Sequence, residues 1–168
     1  MSSLDLSRLK QLFRRAAAGE ELTLGFFGGS ITQGSLAAEQ GNCYAFRVYR
    51  WFVDTFPGAT FHYVNGGIGG TDSFYGVARA VTDLLQYQPD FVVVDFSVND
   101  TKLPFRKETY EGLLRKVLAW PSRPAVVLPS FMLQPNSRDS TTPICDLPSP
   151  PLPLMTIMRC PLLLGIRQ

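Results

Sequence analysis

Histidine is the scarcest catalytic residue type in this sequence: one in 168 residues, His62. Any chemistry that needs an imidazole has only that residue to draw on. Cysteine is nearly as rare, at three (Cys43, Cys145, Cys160), an odd number with no C-x-x-C spacing. That excludes a disulfide framework and leaves a zinc site short of ligands, so neither metal nor cofactor is expected. A surplus of one charge is also lacking. The chain has 16 Lys+Arg against 14 Asp+Glu, net +2, and no basic run, which excludes an electrostatic nucleic-acid binder. No apolar run approaches the roughly 20 residues of a membrane-spanning helix. Met1 to Lys10 is polar and mixed, unlike a signal peptide, which points to a cytoplasmic protein. Neither G-x-G-x-x-G nor G-x-x-x-x-G-K-[ST] occurs, which argues against a nucleotide site. No feature of the sequence fixes an oligomeric state.

What is present is globular: 45% hydrophobic and 18% charged residues, at a length suited to one domain. The pattern is not uniform. Of the 13 prolines, eight fall after Leu128, in a stretch with no lysine, no glutamate and a single glycine. The sequence therefore divides into an N-terminal helix over residues 1–19, a patterned core over 20–128, and an irregular proline-rich tail over 129–168.

Within the first 128 residues helical and strand-like segments alternate. Leu6, Leu9, Phe13 and Ala16 fall at helical spacing. Leu22 to Phe27 is a short apolar run ending in glycines. Ala45, Val48, Tyr49, Phe52 and Phe56 predict an amphipathic helix stopped by Pro57-Gly58. Thr60 to Val64 is strand-like and opens into a glycine-rich loop. Phe74, Val77, Ala78, Val81 and Leu85 predict a third helix. Phe91 to Phe96 is continuous and β-branched, as in a strand buried on both faces. Tyr110, Leu113, Leu114, Val117 and Leu118 predict a fourth helix, and Ala125 to Leu128 a fourth strand. This alternation predicts an α/β fold with a parallel sheet between helical layers, whose ligands sit at the carboxyl ends of the strands.

The unusual residues lie at those ends. The first strand stops at Gly28-Gly29-Ser30, the second in the run Gly66 to Gly70, the third at Ser97-Val98-Asn99-Asp100. Taken alone each has a structural explanation: a turn, a loop that could hold a phosphate, a helix cap. Together, at the ends of successive parallel strands, they offer a hydroxyl, bare backbone N–H groups and a side-chain amide. Those are the parts of acyl transfer, a nucleophile and oxyanion donors.

Three segments carry a family resemblance. Leu24-Gly-Phe-Phe-Gly-Gly-Ser-Ile-Thr-Gln-Gly34 resembles block I of the SGNH (GDSL-type) hydrolases, Val64-Asn-Gly-Gly-Ile-Gly-Gly-Thr-Asp-Ser73 block II, and Phe96-Ser-Val-Asn-Asp100 block III. The resemblance implies a flavodoxin-like α/β/α three-layer sandwich, incomplete at the C-terminus, and a serine esterase or acylhydrolase activity on a small-molecule or carbohydrate ester. It makes Ser30 the nucleophile, and the Ser30 N–H, the Gly70 N–H and the Asn99 side chain the oxyanion hole.

The sequence departs from the family in three places. Gly29 stands where block I has Asp, and Ser97 where block III has Gly. The Asp-x-x-His block that supplies the general base and its partner near the C-terminus is absent, so the general base is unknown. His62 lies in a strand upstream of block II, which suits a packing or surface role. Asp95 and Asp100 are read as a strand and a cap residue. Tyr44, Phe74 and Tyr75 are near blocks I and II, as pocket-lining or core residues.

The composition break suggests a truncated or frame-shifted family member. Codons for Met155 to Pro161, read one frame over, permit Asp-His-Tyr-Glu-Met-Pro, compatible with a His-Tyr-x-x-Pro segment found in this subtype. The chain is therefore expected to retain the site with little activity. The alternative is a catalytically inactive binding protein on the same fold.

Overall fold

The computed structural model describes residues 6–35, 37, 39–100, 104–129 and 131. The sequence expectations for the tail beyond Phe131, including Met155 to Pro161, lie outside these residues. No helix among them is long and apolar enough to cross a membrane.

The elements alternate. α1 (Ser7–Ala17) leads into β1 (Glu21–Gly28), a short α2 (Ser30–Gln33) and α3 (Tyr44–Thr55). Then come β2 (Thr60–Gly67), α4 (Ser73–Asp83), β3 (Phe91–Asp95), α5 (Pro104–Leu118) and β4 (Ala125–Val127). The strands form one parallel sheet in the order β2-β1-β3-β4. Among the described residues that is the flavodoxin-like order over its first four strands.

Side-chain alternation along the strands builds two cores. Leu22, Leu24 and Phe26 of β1, with Phe91 and Val93 of β3, pack under α1 and α3. Phe27 of β1, with Val92 and Val94 of β3, packs under α4 and α5. β3 is buried along its whole length, as its unbroken apolar run predicts. The result is the three-layer α/β/α sandwich.

The structure departs from the sequence reading at three elements. α5 begins six residues before Tyr110, at Pro104. Proline at a first helical position costs nothing, and the residues that follow it show no apolar periodicity. β2 continues past Val64 to Gly67, pairing Asn65, Gly66 and Gly67 with Phe26, Phe27 and Gly28. Two glycines expected in a loop are thus ladder residues, and packing explains them. A Cβ on Gly66 would stand 2.8 Å from the Phe27 ring, and one on Gly67 2.4 Å from the Gln33 backbone nitrogen.

α4 presents an unexpected face. Phe74 and Val81 are exposed, whereas Ser73, Gly76, Arg79 and Ala80 are buried. Gly76 lets the helix approach until its missing Cβ would lie 2.7 Å from the Phe96 ring.

Candidate active site

Ser30 follows β1 after a single residue and opens α2. The turn is pinned from both sides. The Gly29 N–H donates to the Asp95 carbonyl, and the Gly29 and Ser30 carbonyls accept from Gln33 and Gly34. α2 is too short to be seen in a periodicity, and it is backed by tertiary contacts instead. The Thr32 hydroxyl and the Tyr44 phenol are 2.8 Å apart and buried, and the Asn65 amide donates to the Thr32 carbonyl at 2.9 Å.

Gly70 lies in the turn after β2. It has φ +71, a conformation that favours glycine, and no atom lies within 4 Å of where its Cβ would be. Its neighbour Gly69 donates its N–H to Gln33 Oε1 at 2.8 Å. Asn99 closes the turn after β3, where its own N–H and that of Asp100 both donate to the Phe96 carbonyl. Asp100 Oδ1 accepts from the Ser73 N–H at 2.8 Å, and Asp72 caps α4 through the Tyr75 N–H. The loops after β2 and β3 are therefore tied together.

Gly29 is where the three segments meet. A Cβ on it would stand 2.8 Å from the Asn99 side-chain oxygen and 3.2 Å from the Thr71 carbonyl oxygen. A Cβ on Gly69 would be 3.8 Å from the Ser30 Cβ. Glycine at position 29, where the family has Asp, thus leaves the space into which the Asn99 carboxamide fits. Ser30, Gly70 and Asn99 all lie at the carboxyl edge of the sheet, beside the β1/β3 boundary where the strand order reverses. That is the crevice in which open α/β sheets bind ligands.

His62 is elsewhere. It pairs in register with Thr23, five residues along β2 from the Gly67–Gly28 pair. At about 3.3 Å per residue that is roughly 16 Å from the edge. Its Nε2 sits 2.5 Å from Glu21 Oε1, with both side chains solvated. The surface role expected of it fits, and it cannot reach Ser30.

Asp95, the last residue of β3, is buried, and its Oδ1 accepts from both the N–H and the hydroxyl of Ser97. The Ser97 hydroxyl in turn accepts from the Phe131 N–H at 3.1 Å, and the Phe131 ring packs on Tyr44 with centroids 5.2 Å apart. Serine in place of the family's glycine thereby anchors the chain leaving β4 to the end of β3. Tyr44 is a core residue, as this contact and its burial require, whereas Phe74 and Tyr75 are exposed.

Burial raises the pKa of the Asp95 carboxyl, and the Ser97 hydrogen bonds oppose the shift. A carboxyl with a higher pKa in the folded chain binds protons more readily there than in the unfolded chain. Its contribution to stability therefore falls as pH rises above the unfolded value of about 3.9 and through the folded one. Asp95→Asn keeps an oxygen acceptor for Ser97 and removes the charge. It is expected to gain on the wild type as pH rises through that window, read as denaturation midpoint against pH. Parallel curves for the two proteins would contradict this.

The residue that sequence reasoning missed is Arg79. It is 6% exposed, and its guanidinium lies among the carboxyl ends of β1 and β2. A charge within a helical pattern reads as solvated face, and no local signal separates it from one.

Comparisons with known proteins bear on the family and the fold. The family model of the GDSL-like lipase/acylhydrolases matches residues 26–154, from within β1 to beyond Leu128. A two-domain esterase (CEX) active on acetylated mannans is 56% identical with a TM-score of 0.72, over 73% of this chain and 34% of that one. The present chain thus spans about a third of that protein. A variant of Axe2, an acetyl-xylooligosaccharide esterase from Geobacillus, is 27% identical with a TM-score of 0.50, over 67% of this chain and 60% of that one. TesA, at 24% identity and a TM-score of 0.58 over 68% of this chain and 63% of its own, shares the fold. The search of curated proteins gave no match. Because the family model covers well over half of its residues, the chain belongs to the GDSL-like lipase/acylhydrolase family.

Proposed function

We propose that this chain carries the nucleophile and oxyanion half of a serine acylhydrolase site for acetyl esters of carbohydrates. In this reading the Ser30 Oγ attacks the ester carbonyl carbon and its proton leaves to a base. The tetrahedral oxyanion is held by the Ser30 N–H, the Gly70 N–H and the Asn99 side-chain amide. The intermediate collapses as the alcohol departs, and water then cleaves the acyl-serine to acetate. The observation that carries the proposal is the meeting of blocks I, II and III around Gly29, with Ser30 at the crevice. The carbohydrate ester is suggested by the two-domain esterase active on acetylated mannans.

The base is the weak element. Among the described residues, no carboxylate or imidazole accepts from the Ser30 hydroxyl. Asp72, Asp95 and Asp100 serve the Tyr75, Ser97 and Ser73 N–H groups, and His62 pairs with Glu21. This same observation favours the second reading, a non-catalytic binding protein on the fold.

Hydrolysis of p-nitrophenyl acetate separates the two. The chain is expected to hydrolyse it slowly, at least about a thousandfold below an intact relative. Ser30→Ala should fall to the buffer rate, while His62→Gln should match the wild type. A rate unaffected by Ser30→Ala would reject the nucleophile, and a His62→Gln loss would reject the account of the base.

A further inference from the structure

Arg79 reaches from α4 under the turn that carries Gly70. Its Nη2 donates to the Gly28 carbonyl at 3.0 Å and to Thr71 Oγ1 at 3.3 Å. Its Nη1 donates to the Gly66 carbonyl, and to Asp83 Oδ2 at 3.0 Å. The guanidinium carbon lies 4.4 Å from the Phe27 ring centroid and 5.7 Å from that of Tyr75. An ion so deeply buried is tolerated only with this much compensation: a carboxylate, aromatic faces and carbonyl acceptors.

Its partners are the turn itself. The Gly28 carbonyl that Arg79 binds also accepts the Ile68 N–H at 3.1 Å. The Thr71 hydroxyl that Arg79 binds donates to the Ile68 carbonyl at 2.7 Å. On the opposite side Gln33 Oε1 holds the Gly69 N–H and is itself supported by the Ser35 hydroxyl at 2.9 Å. The residues on either side of Gly70 are thus fixed, and among the described residues nothing accepts the Gly70 N–H.

We infer that Arg79 is a positioning residue. Its planar fork locks the carboxyl ends of β1 and β2 together and, through Thr71, holds the Ile68–Thr71 turn so that the Gly70 N–H faces the Ser30 oxyanion position. Arginine suits the task because one rigid group offers several donors in a plane, whereas a lysine ammonium cannot span the same acceptors. The inference rests on the reading of Ser30 and Gly70 given above.

Two measurements on the 168-residue chain test it. One is the rate at which a fluorophosphonate modifies Ser30, followed by intact mass. The other is amide hydrogen exchange at Ile68 and Gly69, with Val93 and Val94 in β3 as internal references. Thr71→Val, which removes only the hydroxyl bridge, is expected to keep the wild-type melting temperature and to slow labelling about tenfold. Arg79→Met is expected to slow it about a hundredfold, the low end of the loss of one oxyanion donor, and Arg79→Lys to recover part of that. In all three, Ile68 and Gly69 should exchange faster while Val93 and Val94 do not. If Arg79→Met fails to fold, Arg79→Lys and Thr71→Val decide. Folded variants that label at the wild-type rate, or whose turn amides exchange as in the wild type, overturn the inference. Labelling of the wild type no faster than Ser30→Ala would instead reject the reading of Ser30, and the exchange data would still decide whether Arg79 holds the turn.

Discussion

A version of this chain whose C-terminal segment supplies Asp-x-x-His should hydrolyse p-nitrophenyl acetate at least about a thousandfold faster than the 168-residue chain, by the cost of losing a triad base. The expectation follows from what the carboxyl edge contains. The Asn99 side chain and the Thr71 carbonyl approach Gly29, beside Ser30, and among the described residues no group accepts the serine proton. A neutral hydroxyl attacks poorly, and the oxyanion donors alone retain only part of the catalysis. The codons for Met155 to Pro161, read one frame over, permit Asp-His-Tyr-Glu-Met-Pro, which supplies a histidine, and the nucleotide sequence would show which residues to restore. In the restored protein Ser30→Ala should return the rate to that of buffer. A restored chain no faster than the parent would mean that the edge is not a catalytic site. A restored Ser30→Ala protein that stays active would mean that another residue is the nucleophile.

The segments legible in the sequence are those whose signal is local. Phe91 to Asp95 is a continuous β-branched run, and only a strand buried on both faces needs one. α3 has its apolar stripe and its Pro57-Gly58 stop. The three blocks are contiguous, so their placement at strand ends followed once the strands were recognised. What was illegible depends on partners distant in sequence. Gly66 and Gly67 look like loop residues until β1 and α2 are seen pressed against them. The buried residues of α4 are Ser73, Gly76, Arg79 and Ala80 rather than its large apolar ones, because Phe96 and Phe27 already fill the space beneath it. Arg79 is satisfied by carbonyls at the ends of β1 and β2 that meet only in the folded sheet. The site shows the same division. Ser30, Gly70 and Asn99 could be proposed from motifs, whereas Arg79, Gln33 and Ser97, which hold the loops around them, could not.

The largest effect on stability is expected at Gly28. Its φ is not among the positive values, so backbone strain is not the issue. Space is. A Cβ there would stand 2.2 Å from the Asp95 carbonyl oxygen and 2.3 Å from the Thr32 hydroxyl. The first of these is backbone in β3, fixed by its ladder to β1, and the second is buried against Tyr44. Neither can withdraw without separating β1 from β3 or lifting α2, and Arg79 holds the same Gly28 carbonyl from the other side. Gly28→Ala is therefore expected to cost about 3 kcal/mol or more, at the upper end of overpacking effects. Gly58→Ala is the control. It adds the same methyl group where nothing lies within 4 Å and where φ is not positive. It should be neutral or gain a few tenths of a kcal/mol, because alanine has less backbone freedom to lose on folding. Denaturant midpoints of the two variants against the wild type decide the matter. Equal midpoints for Gly28→Ala and Gly58→Ala would show that the β1–β3 seam yields at this point. The close approach of Gly29 to the Asn99 side chain would then not depend on a bare backbone at position 28.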